Sequence, residues 1–309
     1  MKILVTGGAG FIGSHITDAF IKEGHTVFVL DNLTTGFESN INPSAVFIKA
    51  DISDPSVKEL FKKEKFDVVN HHAAQMDVRH SVADPLFDAN TNILGSLSLL
   101  QNAAETGVKK FMFASSGGAV YGEQSYFPAD ESHLQYPVSP YGISKLAVEK
   151  YIYFYHLQYK LQYSILRYAN IYGPRQNSSG EAGVVAIFTT RLLKGIQPVI
   201  NGSGKQTRDY VYVGDVVKAN LLTLNDKKSD TYNVGTGIET DVNTIFRYIN
   251  EFTSAKAEEK HGPAAPGEQL RSVITSDKLY AAFNWKPGTS IQDGLKKTVE
   301  YFKGITIPA

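Results

Sequence analysis

The chain has 309 residues, 42% of them hydrophobic and 20% charged, a balance that suits one large globular domain or two modest ones and excludes an intrinsically disordered chain. Its 31 basic and 31 acidic residues cancel, so no global field draws it to nucleic acid or an anionic membrane, and any anionic ligand must be held by local groups. No stretch approaches the roughly 18 apolar residues of a membrane span, Gly7, Gly8 and Gly10 cut the opening apolar run and argue against a signal peptide, and the lack of cysteine rules out disulfides and thiolate chemistry while suiting a cytoplasmic setting.

β-Branched runs at residues 3–6, 26–30, 46–50, 67–70, 110–115 and 163–168 are expected strands, with amphipathic, helix-patterned segments between them. Strands separated by helix-length connections imply right-handed crossovers and a parallel sheet covered on both faces, the α/β doubly wound (Rossmann) class. Asp84-Pro85 and Ser139-Pro140 each offer a capping side chain followed by a proline at the first helical position. The helix after Pro140 carries Ile143, Leu146, Ala147, Tyr151 and Phe154 on one side, an apolar stripe that predicts a homodimer through paired long helices. Beyond residue 170 the pattern loosens, with breaks at Gly173-Pro174, Ser178-Ser179-Gly180, Gly202-Ser203-Gly204 and 262–266. The expected organisation is a first domain over 1–169, rejoined by about 209–235, and a smaller mixed α/β domain over 170–309.

The densest chemistry follows the first strand. Thr6-Gly7-Gly8-Ala9-Gly10-Phe11-Ile12-Gly13 opens a helix, and glycines at 7, 10 and 13 allow a tight turn, a close backbone approach to a pyrophosphate and close packing of helix on sheet. The helix N-terminus supplies free N–H groups for the anion. Asp31 follows Gly13 by 18 residues at the end of the second strand, where a carboxylate with Asn32 beside it is expected to bind ribose hydroxyls and to disfavour a 2′-phosphate, so NAD is the expected cofactor; a solvated aspartate on an ordinary strand-helix turn is the alternative. Asp51-Ile52 after the third strand and Ala73-Ala74-Gln75 after the fourth lie at the same carboxyl edge and complete the expected cofactor lining. His71 and His72 are adjacent, but no HExxH or HxxxH spacing makes a metal site, and none is expected.

Tyr141 and Lys145 are four apart on the helix begun by Pro140, so both project from one face. A neighbouring ammonium favours a phenolate, which would lower the tyrosine pKa and make a general base; a solvated i,i+4 pair is the ordinary alternative. Of the 17 tyrosines only Tyr141 has a lysine at the fourth following position. The fifth strand ends in Ser115-Ser116, where a hydroxyl can bond the oxygen whose proton Tyr141 removes.

Together the glycine turn, Ser115-Ser116, Tyr141 to Lys145, Arg167-Tyr168-Ala169-Asn170-Ile171-Tyr172-Gly173-Pro174-Arg175, Arg208-Asp209-Tyr210-Val211-Tyr212-Val213 and Asn284-Trp285-Lys286-Pro287 resemble the NAD-dependent epimerase/dehydratase family, specifically its UDP-glucose/UDP-N-acetylglucosamine 4-epimerases. The resemblance implies an isomerase that inverts C4 of a UDP-sugar through a transient 4-keto form, with Tyr141 as base, Lys145 on the cofactor ribose and Ser116 on the 4-oxygen. It further implies that Asn90 or Asn92 lines the nicotinamide half, that Tyr168 flanks the cofactor, and that Asn170 and Arg208 hold the diphosphate. An ion pair of Arg208 with Asp209 is the ordinary alternative for that arginine.

Three departures stand out. The turn after Ser116 reads Gly117-Gly118-Ala119-Val120-Tyr121, one residue longer than in many relatives, which leaves Ser115 in reserve for Ser116. The arginine that relatives carry near Ala264-Ala265-Pro266-Gly267-Glu268 is missing, so Arg271 is the expected substitute on the phosphates. Ser272 falls where relatives restricted to plain hexoses carry a tyrosine, so N-acetylated sugars are expected to fit. A 4,6-dehydratase would carry an Asp-Glu pair at Gly117-Gly118, and a deoxysugar 3,5-epimerase would want a cysteine acid; a UDP-glucuronate epimerase or decarboxylase and a non-catalytic NAD-binding regulator remain as alternatives.

Overall fold

The computed structural model describes residues 1–178, 183–265 and 269–305, so Ser179, Gly180 and Pro266 of the expected breaks, and Gly267 and Glu268 of the departing segment, lie outside the described residues. In chain order the first half holds β1 (Lys2–Thr6), α1 (Phe11–Lys22), β2 (Thr26–Asp31), β3 (Val46–Lys49), α2 (Ser56–Glu64), β4 (Val68–His71), α3 (Val78–Ala83), α4 (Pro85–Ala89) and, after a π-helical turn at Asn90–Leu94, α5 (Gly95–Thr106). Next come β5 (Lys110–Ser116), α6 (Gly117–Val120), α7 (Pro140–Tyr159), β6 (Gln162–Tyr168) and β7 (Asn170–Tyr172). The remainder is α8 (Val184–Leu193), β8 (Ile200–Asn201), β9 (Thr207–Tyr212), α9 (Val213–Leu224), β10 (Asp230–Val234), β11 (Glu239–Asp241), α10 (Val242–Thr253), β12 (His261–Gly262), β13 (Arg271–Ser272), α11 (Asp277–Phe283) and α12 (Ile291–Lys303).

Seven strands form one sheet in the order β10-β6-β5-β4-β1-β2-β3, with β1 parallel to both β2 and β4. The chain runs outward from β1 to β3 and then returns to β4, so the switch point of the sheet lies between the carboxyl ends of β1 and β4. Leu4 packs into one core cluster with Leu99, Phe111 and Ile152, while its neighbours Ile3 and Val5 join a second with Ile16, Phe20 and Leu224. Burial on both faces is why these strands read as continuous apolar runs rather than alternating ones. Both expected caps form: Asp84 accepts from the Phe87 N–H at 2.9 Å and Ser139 from the Gly142 N–H at 3.2 Å.

Two compact units emerge, the first comprising 1–122, 134–167 and 217–232, the second 123–133, 168–216 and 233–309. Segment 123–133 thus groups with the second unit because its backbone bonds lead there: the Ala129 N–H donates to the Val273 carbonyl and the Ala129 carbonyl accepts from Thr275. In the second unit β7, β11 and β13 all pair with β9, and α8, α10 and α12 close over a core of Phe188, Phe246 and Leu295. The Trp285 indole donates to the Asp215 carbonyl at 3.1 Å, fixing the closing segment there.

Candidate active site

The turn after β1 is held by backbone fit rather than by side chains. Gly7 has φ +69°, and a Cβ there would lie 2.6 Å from the Ala73 nitrogen, so only glycine lets the β1 and β4 turns meet. A Cβ on Gly13 would lie 2.3 Å from the Gly7 carbonyl, and one on Gly10 3.1 Å from it. The first turn of α1 has no side-chain cap at Gly10 and no acidic residue, so the N–H groups of Phe11, Ile12 and Gly13 face outward with a partial positive charge. Asp31 spends one oxygen on the Ala9 N–H (3.0 Å) and the other on the Leu33 N–H (2.8 Å), which fixes the carboxylate at the rim while leaving each oxygen acceptor capacity. Asn32 donates to Asp51 at 2.8 Å; burial raises the Asp51 pKa, but bonds from Ser53 and Asn32 outweigh it and hold the carboxyl below its usual range. Ile52 packs so tightly on Gly95 that a Cβ there would sit 2.6 Å from its Cδ1. A cradle that excludes Cβ atoms, an open helix start and a fixed carboxylate fit a dinucleotide with free ribose hydroxyls.

After β4, the Ala73 N–H donates to the Thr6 hydroxyl (3.2 Å) and the Gln75 backbone is clasped by Asn92, which accepts from its N–H at 2.9 Å and donates to its carbonyl at 2.8 Å. Ala74 lies half-buried between them. Of the two candidate asparagines, Asn90 is exposed, whereas Asn92 is buried and makes the bonds to Gln75. Both asparagines lie in the π-helical turn Asn90–Leu94, of which Asn92 is the buried residue. His71 bonds the Thr6 and Ser96 hydroxyls through its two ring nitrogens, and burial with the Lys145 charge pushes His72 down to about 3. No cluster of three or more ligating side chains among the described residues could hold a metal ion.

At the end of β5 successive turns of α7 take successive strand residues: Lys145 Nζ donates to the Ala114 carbonyl at 3.0 Å, and Ser115 Oγ donates to Glu149 at 2.6 Å. Ser115 is therefore committed to the protein interior, whereas Ser116 is half-buried and forms no side-chain bond at its N-cap position. Gly142, beside Tyr141, lets α7 approach α6, since a Cβ there would lie 2.7 Å from the Ala119 carbonyl.

The electrostatics reverse one expectation. The Tyr141 phenol is raised above its ordinary value by burial, with the Asp88 carboxylate adding to the shift, and is not lowered by Lys145. Lys145 Nζ lies 5.7 Å from the tyrosine ring centre and bonds the strand instead; burial pushes its own pKa down to about 8, against the pull of Asp88 and Glu149. Asp88, which sequence reasoning missed, is fully buried and accepts from Ser144 (2.6 Å), Asn92 (2.9 Å) and Gln75 (3.2 Å), tying α4 to the catalytic helix and the β4 loop. Its only signal was an acid two residues from the expected asparagine.

In the second unit Tyr168 is buried and Asn170 exposed, and Asn170 is paired in register with Tyr210 of β9. Arg208 is the register partner of Ser272, which is buried. Asp209 is consumed by Thr236, Gly237 and Ile274, and burial lifts its carboxyl to about 6 despite those bonds. Arg271 does not join Arg208: strand alternation turns it to the other face, where it grips Glu239 at 2.7 and 2.9 Å and stacks over Phe127 at 3.8 Å.

A doubly wound sheet with a glycine turn at its switch point and a Tyr141–Lys145 pair on the helix flanking β5 defines a dinucleotide-dependent enzyme of the extended short-chain dehydrogenase type. More particularly, the chain belongs to the NAD dependent epimerase/dehydratase family, whose model matches residues 3–235. It is 47% identical to the UDP-glucose 4-epimerase of Thermotoga maritima, solved with UDP-glucose, over 98% of this chain and 99% of that one, with a TM-score of 0.96. The Thermus thermophilus UDP-glucose 4-epimerase, solved with NAD, is 42% identical with a TM-score of 0.93 over 99% and 100% of the two chains. The UDP-N-acetylglucosamine 4-epimerase of Methanobrevibacter ruminantium, in complex with UDP-N-acetylmuramic acid, is 36% identical with a TM-score of 0.93 over 98% of each.

Proposed function

We propose that this chain is a UDP-hexose 4-epimerase that interconverts UDP-glucose with UDP-galactose and UDP-GlcNAc with UDP-GalNAc through a transient 4-keto sugar. The observation that carries the reading is the β5 edge: a hydroxyl at Ser116, free of internal bonds, stands before Gly117-Gly118, with Tyr141 and Lys145 on the helix packed against it. When bound, NAD supplies the reversible two-electron acceptor for C4. Phe11, Ile12 and Gly13 would hold its pyrophosphate, Asp31 and Asn32 its adenosine ribose, and Lys145 its second ribose.

Ser116 is assigned to the sugar 4-oxygen as its hydrogen-bond partner, and Tyr141 exchanges the 4-hydroxyl proton. Burial and Asp88 keep Tyr141 a phenol in the free chain, so it must release its own proton to solvent before, as the phenolate, it can take the one from the 4-hydroxyl. Glycines in place of an Asp-Glu pair leave no second acid and base for loss of water, which favours epimerisation over dehydration. Asn170 and Arg208 are assigned to the diphosphate. Ser272, beside Arg208 in the sheet register, is assigned to the edge of the sugar pocket, where its small side chain admits a 2-acetamido group.

The test is incubation with a panel of UDP-sugars without added NAD, the products separated by NMR. Conversion of both hexose pairs without net NADH supports the reading. No conversion of any hexose sinks it, and conversion of UDP-glucuronate alone would replace the hexose with the uronate.

A homodimer belongs to the same proposal. Ile143, Tyr151 and Phe154 of α7 are exposed, as are Leu86 of α4 and Leu94 of the π turn. Such an apolar face favours a second copy of this chain, and a clean monomer by sedimentation at micromolar concentration would remove it. A cysteine-free sequence suits the cytoplasm as its location.

A further inference from the structure

The strand-end turn Ser115–Tyr121 is stapled at both ends by one buried ion pair. At its start, Ser115 Oγ donates to Glu149 Oε1 at 2.6 Å. Glu149 is gripped by Arg167, whose Nε reaches Oε1 at 2.9 Å and whose Nη2 reaches Oε2 at 2.6 Å. At the end of the turn, the third guanidinium nitrogen, Nη1, donates to the Tyr121 hydroxyl at 3.0 Å, and the guanidinium carbon lies 5.0 Å from the centre of that ring. All four residues are at least 95% buried.

A buried ion pair is a weak source of stability, because desolvation consumes most of the attraction and well-packed apolar residues of similar size serve as well. What the pair offers is geometry, since a planar fork fixes two directions at once. Here one direction anchors the residue before Ser116 and the other the residue that closes the turn. Between them lie Gly117 and Gly118, which resist bending poorly. Glu149 also follows Lys145 by one helical turn, so a single helix face sets Lys145 on Ala114 and Glu149 on Ser115.

We propose that Glu149 and Arg167 are positioning residues that hold Ser116 at the sugar 4-oxygen through the two ends of the Ser115–Tyr121 turn. The proposal rests on the assignment of Ser116 above. The two serines then play different parts, since Ser116 touches substrate and Ser115 transmits the position set by the ion pair.

Removing Glu149 or Arg167 alone would leave a buried unpaired charge and risk unfolding, so the milder ends of the staple are the ones to cut. Ser115→Ala and Tyr121→Phe each leave the ion pair intact. Each should lower kcat for UDP-glucose about 10-fold or more, as a misplaced reacting group does, while KM and retained NAD stay at parent values; Tm falls somewhat, most in Tyr121→Phe, which takes the hydroxyl acceptor from the buried Arg167 Nη1. In a Ser116→Ala background, Ser115→Ala should cost nothing further, because the group it positions is gone. Parent-like kcat in both single variants would overturn the proposal, as would full additivity of Ser115→Ala with Ser116→Ala. A distinct result, Ser116→Ala fully active with Ser115→Ala dead, would instead overturn the serine assignment on which it rests.

Discussion

The two units hold their functional side chains in opposite ways. In the first, several elements around the proposed catalytic residues are braced from behind: Lys145 by Ala114, the β5 edge by Glu149, the β4 loop by Asn92 and Asp88. In the second, Asn170 is exposed on a three-residue strand, and Arg208 is held by a bond to its own strand, Nη1 donating to the Thr207 carbonyl at 2.8 Å, beside the buried Asp209 that organises the backbone. Proton transfer tolerates little displacement, whereas a diphosphate can be followed by flexible charged groups. The braced unit is therefore expected to control rate and the other unit to control which sugar is accepted.

The comparison breaks most visibly at Tyr141. Tyr141→Phe should lower kcat by roughly 10³, within the range for loss of a positioned acid or base, while NAD content and fold persist; a regulator that does no chemistry would show no change in its binding functions. The next largest effect lies in the second unit. Ser272→Tyr should remove turnover of the N-acetylated sugars, a loss of about 10² or more, and leave UDP-glucose within a few-fold. Because Ser272 is buried, Tm is measured alongside, since overpacking typically costs about 1–3 kcal/mol. Equal loss on both sugar classes contradicts the division of labour.

Much of the first unit was legible in the sequence, because β-branched runs, two Pro-capped helix starts and a glycine turn are local signals that the fold does not override. The six expected strands recur within a residue or two at either end. The misses are long-range or phase errors. Between Asn90 and Asn92 the sequence left the choice open, and both fall in a π turn, where only Asn92 is buried and bonded to Gln75. Arg271 faces Glu239 because strand pairing, not sequence distance, decides which face it occupies. Glu149 did carry a signal: an acid one turn past Lys145, on the buried face of α7, demands a partner, and Arg167 meets it from β6.

The β1 turn offers a smaller and cleaner contrast. Gly13→Ala forces a Cβ to within 2.3 Å of the Gly7 carbonyl, so the turn must move and NAD affinity should fall about tenfold. Gly24→Ala, in the left-handed region with nothing within 4 Å of its added Cβ, should instead cost only about 1–2 kcal/mol of stability with NAD affinity unchanged. Titration of refolded apoenzyme with NAD and a thermal melt separate the two.

The smallest expected effect concerns charge. Lys145 is faced by Asp88 from α4, by Glu149 and Tyr141 from its own helix, and by His71 and His72 from the β4 edge, both histidines held uncharged by burial. Glu149 is already matched by Arg167, so Asp88 is the carboxylate whose field Lys145 feels without a competing cation. With its pKa near 8 against 10.5 for a free lysine, Lys145 lowers folding stability fully below pH 8 and progressively less as pH rises towards 10.5, because the unfolded chain then binds the extra proton. Activity should run the other way, declining as the ammonium is lost above about pH 8. Asp88→Asn can keep its amide oxygen as acceptor for Asn92 and Gln75 and turn its NH2 to the Ser144 hydroxyl, which then accepts, but removes the charge, so the alkaline limb of kcat should move to lower pH with little change at its plateau. An unmoved limb would mean that Asp88 braces α4 against α7 and contributes nothing to the charge of Lys145.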